Sequence, residues 1–223
     1  DDFLCTEIGQ VGTQFDGPGH IGVRIEKKDG TFEDVFYNGY STEEMSGPYG
    51  LEKLGVENIK PYLTRGILVD VAAYKGVESL SHSYEVRVSD VLGALEKQDM
   101  DQSSIRPGDA IFFNYGWSNY WKDHEKYNTD PPGIGVEVGY WVIEREASLI
   151  GSDSWPTEVM PNPDPDLMIP VHIELSTKNG IFNIENMVFD ELIEDGVYEF
   201  LFVFTPIRFK GATGSPARPL GIR

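Results

Sequence analysis

Gly9-Gln-Val-Gly-Thr-Gln-Phe-Asp-Gly-Pro-Gly-His-Ile-Gly22 is the stretch from which the rest of the chain is best read. In extended backbone alternate residues share a face, so Gln10, Gln14 and Asp16 fall on one side and Val11, Thr13 and Phe15 on the other. That is the pattern of a strand with an apolar face on a core and a polar face on a cleft. At a rise of roughly 3.3 Å per residue, Gln14 and Asp16 stand about 6.6 Å apart, close enough to converge on one ion or one substrate group. Gly17-Pro18-Gly19 then turns the chain, and the turn can fold His20 back over the same place.

A second segment, Pro170-Val-His-Ile-Glu-Leu175, alternates in the same way and is expected to be a strand with His172 and Glu174 on one face. Beyond the Lys178-Asn179-Gly180 turn, Ile181-Phe-Asn-Ile-Glu185 alternates again and offers Glu185. Two polar-faced strands with such side chains can build an oxygen-rich metal site with one imidazole; a solvated sheet face has the same pattern.

Further strands are predicted at Gly66–Asp70, Ala110–Asn114, Leu149–Asp153 and Tyr198–Thr205, short apolar or alternating runs between turn signals. Helices are predicted at Ser89–Lys97, with Ser89 as the cap, at Gly135–Glu146 and at Val188–Asp195. Strands alternating with short helices imply an α/β fold with a mixed sheet. Asp70 and Asp153 end two of the strands, where open α/β sheets often place ligands, although either can simply cap a turn. Long irregular stretches follow residues 27, 115 and 153, and the second carries Trp117, Trp121, Tyr120 and Tyr127, which can line a pocket for a planar substrate or pack the loop itself.

At about 150 residues per domain, 223 residues without a linker or repeat read as one domain over residues 1–223. With 37 acidic against 18 basic residues the net charge is −19, and the densest basic pair, Lys27-Lys28, is flanked by Glu26 and Asp29. This sign repels phosphate backbones and anionic lipid, so neither nucleic acid nor a membrane surface is an expected partner. Cys5 is the single cysteine, which forbids an intrachain disulfide and a thiolate zinc cluster and fits a reducing, cytoplasmic setting. No apolar run of membrane-spanning length occurs. The chain opens Asp1-Asp2-Phe3, without methionine or a signal pattern, and a preceding segment is expected to exist.

The signature read here as Gln10-Val-Gly12-Thr13-Gln14-Phe-Asp16-Gly-Pro18-Gly-His20 resembles the H-x-G-T-H-x-D-x-P-x-H pattern of the cyclase family, which includes bacterial kynurenine formamidases and isatin hydrolases. The likeness continues through Thr64–Asp70, Ile105–Asp109, Gly116-Trp117, Pro132-Gly133, Gly151–Asp153, His172 with Glu185, and Gly211–Pro219. It implies a single-domain α/β fold, a mixed twisted sheet flanked by helices of the swivelling β/β/α type. It implies a homodimer, to which a segment ahead of Asp1 would supply an arm. It also implies hydrolysis of an amide, cyclic amide or ester of a small molecule. The resemblance puts a divalent metal on the first two signature positions and the aspartate, here Gln10, Gln14 and Asp16. A second metal shares that aspartate and adds a histidine and a glutamate, matched by His172 and Glu185. His20 matches the proton-transfer histidine, and Trp117 and Asp153 are expected to contact substrate.

Both signature histidines are glutamines in this chain. A carboxamide oxygen is a neutral, hard donor, so manganese is favoured, with magnesium and calcium next and zinc last. Gln10 and Gln14 can alternatively leave the metal and hydrogen-bond a substrate or each other. A metal-free lyase or cyclase with His20 as base, or a small-molecule binding protein without turnover, are the competing readings. His82 and His124 lie in hydrophilic contexts and are expected to be solvated.

Overall fold

The computed structural model describes residue 3 and residues 5–223. Asp1 and Asp2, from which an N-terminal arm is expected to lead, lie outside the described residues, as does Leu4. An eight-stranded mixed sheet organises the chain. Its strands in chain order are β1 (Gln14–Asp16), β2 (Tyr62–Asp70), β3 (Ala110–Asn114), β4 (Leu149–Ser152), β5 (Phe182–Glu185), β6 (Glu199–Phe204), β7 (Gly214–Pro216) and β8 (Leu220–Ile222). Their spatial order is β7-β1-β5-β4-β3-β2-β6-β8. The four central strands, β5 to β2, run parallel, and antiparallel β1–β7 and β6–β8 close the two sides.

Parallel strands need crossover connections and are covered on both faces, which is why Ala110-Ile-Phe-Phe-Asn114 is buried at every position. Ile67, Val69, Ile111, Phe113 and Ile150 face a core shared with helices α1 (Val71–Lys75), α2 (Val88–Lys97) and α4 (Val136–Glu144). The neighbouring residues Leu68, Ala110, Phe112 and Leu149 face a second core, rich in phenylalanine. Phe15 of β1 and Phe204 of β6 lie 5.0 Å apart between ring centroids, although four strands separate β1 from β6. The sheet is therefore strongly curled around this second core, and β1 is held against it by Phe15.

Helix α2 begins one residue before its predicted start. Asp90, not Ser89, supplies the cap, accepting the backbone N–H of Arg87 at 3.1 Å, and is itself held by Lys75 at 2.5 Å. The predicted helix at 188–195 is the shorter α6 (Asp190–Glu194), while α3 (His124–Asn128) sits inside the aromatic stretch.

The strand expected at Pro170–Leu175 is instead helical. Pro170–His172 forms an α-turn that runs on into a π-helix, Ile173–Lys178, together called α5. Val171 and Leu175, four apart, are both buried, so the segment satisfies a helical period as well as an alternating one. Pro170 suits a first helical position. The carboxylate of Glu158 decides the outcome by accepting the backbone N–H groups of Val171 at 3.1 Å and His172 at 2.9 Å. Glu174, expected beside His172, pairs instead with Lys178 at 2.5 Å. Among the described residues no helix is long and apolar enough to cross a membrane.

Candidate active site

The signature forms a shorter strand than its alternation suggests. Only Gln14–Asp16 pairs in the sheet, and Gly12, at φ +63°, bends the chain so that Gln10 folds back toward Asp16. Gln14 and Asp16 do share a face, opposite Phe15. Across the antiparallel pairing Gln14 stands opposite Glu185 and Asp16 opposite Asn183. The 17–19 turn packs tightly: a Cβ on Gly17 would lie 2.8 Å from Thr213 O and 2.6 Å from a Val56 methyl. This turn returns His20 to the site, its Nε2 3.7 Å from Asp16 Oδ1.

Asp16, His172 and Glu185 are all buried, and one ligand-type atom from each lies within 4.8 Å of the others. His172 Nε2 stands 3.3 Å from Glu185 Oε1 and 3.7 Å from Asp16 Oδ2. Its Nδ1 is engaged by Glu158 Oε1 at 2.5 Å, so the ring is oriented with Nε2 toward the two carboxylates. A carboxylate behind a histidine is the arrangement that orients metal-binding imidazoles. Asn183 ties the group together: its Nδ2 donates to Asp16 Oδ2 at 3.0 Å and Glu185 Oε1 at 2.8 Å, and its Oδ1 accepts from Thr157 Oγ1 at 2.9 Å.

The glutamines bind the carboxylates through their amide nitrogens. Gln10 Nε2 donates to Asp16 Oδ1 at 3.1 Å, and Gln14 Nε2 donates to Glu185 Oε2 at 2.8 Å and to Gln10 Oε1. The alternative in which the two glutamines bond each other is thus seen directly, as a chain running Asp16–Gln10–Gln14–Glu185.

Charge in this group is shared. Burial pushes the Glu185 carboxyl up to about 8, reinforced by the negative charge of Asp16. Burial also opposes ionisation of Asp16, but the His172 hydrogen bond and the His20 and His172 charges outweigh it and hold that carboxyl below its usual value. Burial disfavours a charged His172, yet its hydrogen bonds to Asp16, Glu158 and Glu185 raise its pKa well above the usual imidazole range. Such divergence between neighbouring groups is typical of functional sites.

Gln10, Gln14, His172 and Glu185 form the floor of a cavity of about 520 Å³, walled by Trp121, Trp155 and Tyr127 and bordered by His20 and Ile21, and Asp16 is buried behind that floor. His124, expected to be solvated, is exposed but stands on this wall. Trp117, expected to contact substrate, lines neither this cavity nor its neighbour: it is fully buried in the helical core, where its Nε1 donates to Tyr127 O at 2.9 Å. Asp153 lies beside a separate adjoining cavity, accepting the N–H groups of Tyr115 at 2.8 Å and Ser118 at 3.0 Å. Glu158, Asn183, Trp155 and Asn186 were not singled out from the sequence. Asn183 alone had a signal, sharing a strand face with Glu185; no spacing links Glu158 to His172.

The family model for cyclases matches residues 3–159. The chain belongs to the cyclase family. Among solved structures, this cyclase-family protein is similar to one described as a novel cyclase, at 29% identity and a TM-score of 0.80, over 95% of this chain and 68% of that one. It is also similar to isatin hydrolase A from Ralstonia solanacearum, at 20% identity and a TM-score of 0.64, over 95% and 71% of the two chains. A third, described as a potential metal-dependent hydrolase with cyclase activity, matches at 15% identity and a TM-score of 0.51, over 95% and 77%. A search of curated proteins gave no match.

The donor set of this cyclase-family site fits a divalent cation: two buried carboxylates and an imidazole nitrogen converge, with a carboxylate behind the imidazole. Three of the five residues expected to bind metal, Asp16, His172 and Glu185, are thereby brought together. Gln10 and Gln14 adjoin them, but each must turn its amide to present oxygen inward.

Proposed function

We propose that the protein is a metal-dependent hydrolase of an amide, cyclic amide or ester of a small, aromatic molecule. The observation that carries this reading is the convergence of Asp16, His172 and Glu185 at an aromatic-walled cavity, with His172 and Glu185 on its floor and His20 at its edge. The family and the hydrolases among its structural neighbours support it.

Asp16, His172 and Glu185 would hold the cation, with Gln10 and Gln14 as amide-oxygen donors. When bound, it supplies Lewis-acid polarisation of the scissile carbonyl. Trp121, Trp155 and Tyr127 bind the planar part of the substrate and exclude water from it. His20 Nε2 accepts the proton of the attacking water and returns it to the leaving nitrogen or oxygen. Glu158 keeps the His172 ring fixed through Nδ1, and Asn183 keeps the Asp16 and Glu185 carboxylates aimed at the same point.

The amide chain Asp16–Gln10–Gln14–Glu185 favours a second reading, a metal-free lyase or cyclase in which His20 abstracts a proton, because those hydrogen bonds satisfy the carboxylates without a cation. The deciding experiment is hydrolysis of a panel of aryl amides, lactams and aryl esters by protein stripped of metal and then resupplied with manganese. Acid release that depends on added manganese is expected. Turnover unaffected by chelation would overturn the metal-dependent reading in favour of the second.

A further inference from the structure

A second cavity, of about 390 Å³, adjoins the first and shares Trp121, Tyr127 and Asn186 with it as a common wall. The wall is pinned by Tyr127 Oη, which donates to Asn186 Oδ1 at 2.5 Å. Its lining combines aromatic and thioether surface, from Trp121, Tyr127 and Met187, with the carboxylates of Asp153 and Asp190; none of its described lining residues is basic. Trp121 is half exposed and meets Tyr127 edge to face at 5.2 Å, so its ring is held in place at the cavity's opening.

Asp153 makes this cavity unusual. It is fully buried, with backbone N–H donors to its oxygens, and among the described residues no Lys, Arg or His side chain is paired with it. Burial pushes its carboxyl up to about 6, so near neutrality it is an ionised group beneath the floor with no counter-charge. A buried charge that is hydrogen-bonded but has no counter-ion keeps part of its desolvation cost, and a cation in the space above it relieves that cost through its field without touching it. Exposed Asp190 adds a second negative charge at the rim, and aromatic faces attract cations through the ring quadrupole.

We propose that this cavity is a subsite for a cationic, alkylammonium-type arm of the substrate, whose reacting carbonyl lies in the neighbouring cavity. The proposal rests on the reading of that neighbouring cavity as the reaction site. It narrows the substrate class to amides or esters of an aromatic molecule bearing a positively charged amine, and it disfavours anionic arms.

Calorimetric titration of the intact protein with choline, and with its neutral isostere 3,3-dimethylbutan-1-ol, tests the subsite without reference to turnover. Choline is expected to bind at least about tenfold more tightly than the alcohol. Its affinity should fall about tenfold in Trp121→Leu, fall about two- to threefold in Asp190→Asn, and stay unchanged in Trp155→Leu, since Trp155 borders only the first cavity. Equal binding of the two probes would overturn the proposal by showing an uncharged apolar slot. Choline binding sensitive to Trp155→Leu but not Trp121→Leu would overturn it by placing the cation in the first cavity. Charge-selective binding with no hydrolysis of any amide or ester would leave the subsite standing and sink the hydrolase reading. Hydrolysis that ignores the charge of the substrate's arm would sink the subsite alone.

Discussion

Gln14 stands directly across the sheet from Glu185, and its amide nitrogen donates to Glu185 Oε2 at 2.8 Å. A glutamine at a position where the family pattern has histidine thus serves a carboxylate on the neighbouring strand. Whatever cation this site takes must compete with that hydrogen bond, and the amide it displaces can offer only a hard oxygen.

Metal preference follows from this donor set. Protein purified with equal supplies of manganese and zinc is expected to carry manganese, because two carboxylates and amide oxygens outnumber the single imidazole. The double variant Gln10→His, Gln14→His should reverse the preference. Elemental analysis of both proteins decides it; tightly held zinc in the unaltered protein would contradict the hard-donor argument.

His20 is expected to carry proton transfer. His20→Ala should lower the rate by about 10² to 10⁴ while metal content and the unfolding midpoint stay as they were, because the ring is partly exposed and reaches Asp16 only at 3.7 Å. Steady-state kinetics with a parallel metal assay would sink the assignment if the variant kept full activity.

Glu158 links the fold to the site. Glu158→Ala leaves the N–H groups of Val171 and His172 and the His172 Nδ1 position without their partner, all in a buried setting. At about 1–3 kcal/mol for each unsatisfied buried group, a loss of about 3 kcal/mol or more is expected in urea unfolding. Glu158→Gln, which keeps one acceptor oxygen, should lose less. Equal stability of Glu158→Ala and the unaltered protein would show that α5 does not depend on this cap.

The pH dependence of stability should reveal Asp153. Its native carboxyl keeps the proton up to about 6, against 3.8 for an unperturbed group, so between these values the native state binds more protons than the unfolded chain. Stability contributed by this group is therefore greatest below pH 3.8, declines as pH rises through the window, and is level above about 6. At about 1.4 kcal/mol per unit the decline is about 3 kcal/mol. Subtracting the profile of Asp153→Asn from that of the unaltered protein should isolate this slope; a flat difference would refute it.

Much of this architecture is written locally. Runs such as Gly66-Ile-Leu-Val-Asp70 and Ala110-Ile-Phe-Phe-Asn114 have residues suited to strands covered on both faces, and the structure uses them so. The meeting of Gln14, Asp16 and His20 was likewise legible, because they lie within one strand and one tight turn, where backbone geometry governs which side chains meet, whereas Gln10 reaches Asp16 through the bend at Gly12. At residues 170–178 the alternation points to a strand, and that reading is wrong because Val171 and Leu175 satisfy a helical period equally well. Glu158, distant in sequence, resolved the choice by capping the helix, and that same carboxylate aims His172. The meeting of His172, Asn183 and Glu185 with the signature, the burial of Trp117 and the second cavity beside Asp153 depend on curling the sheet until Phe15 reaches Phe204. Contacts of that kind join segments far apart in the chain, and no local periodicity encodes them.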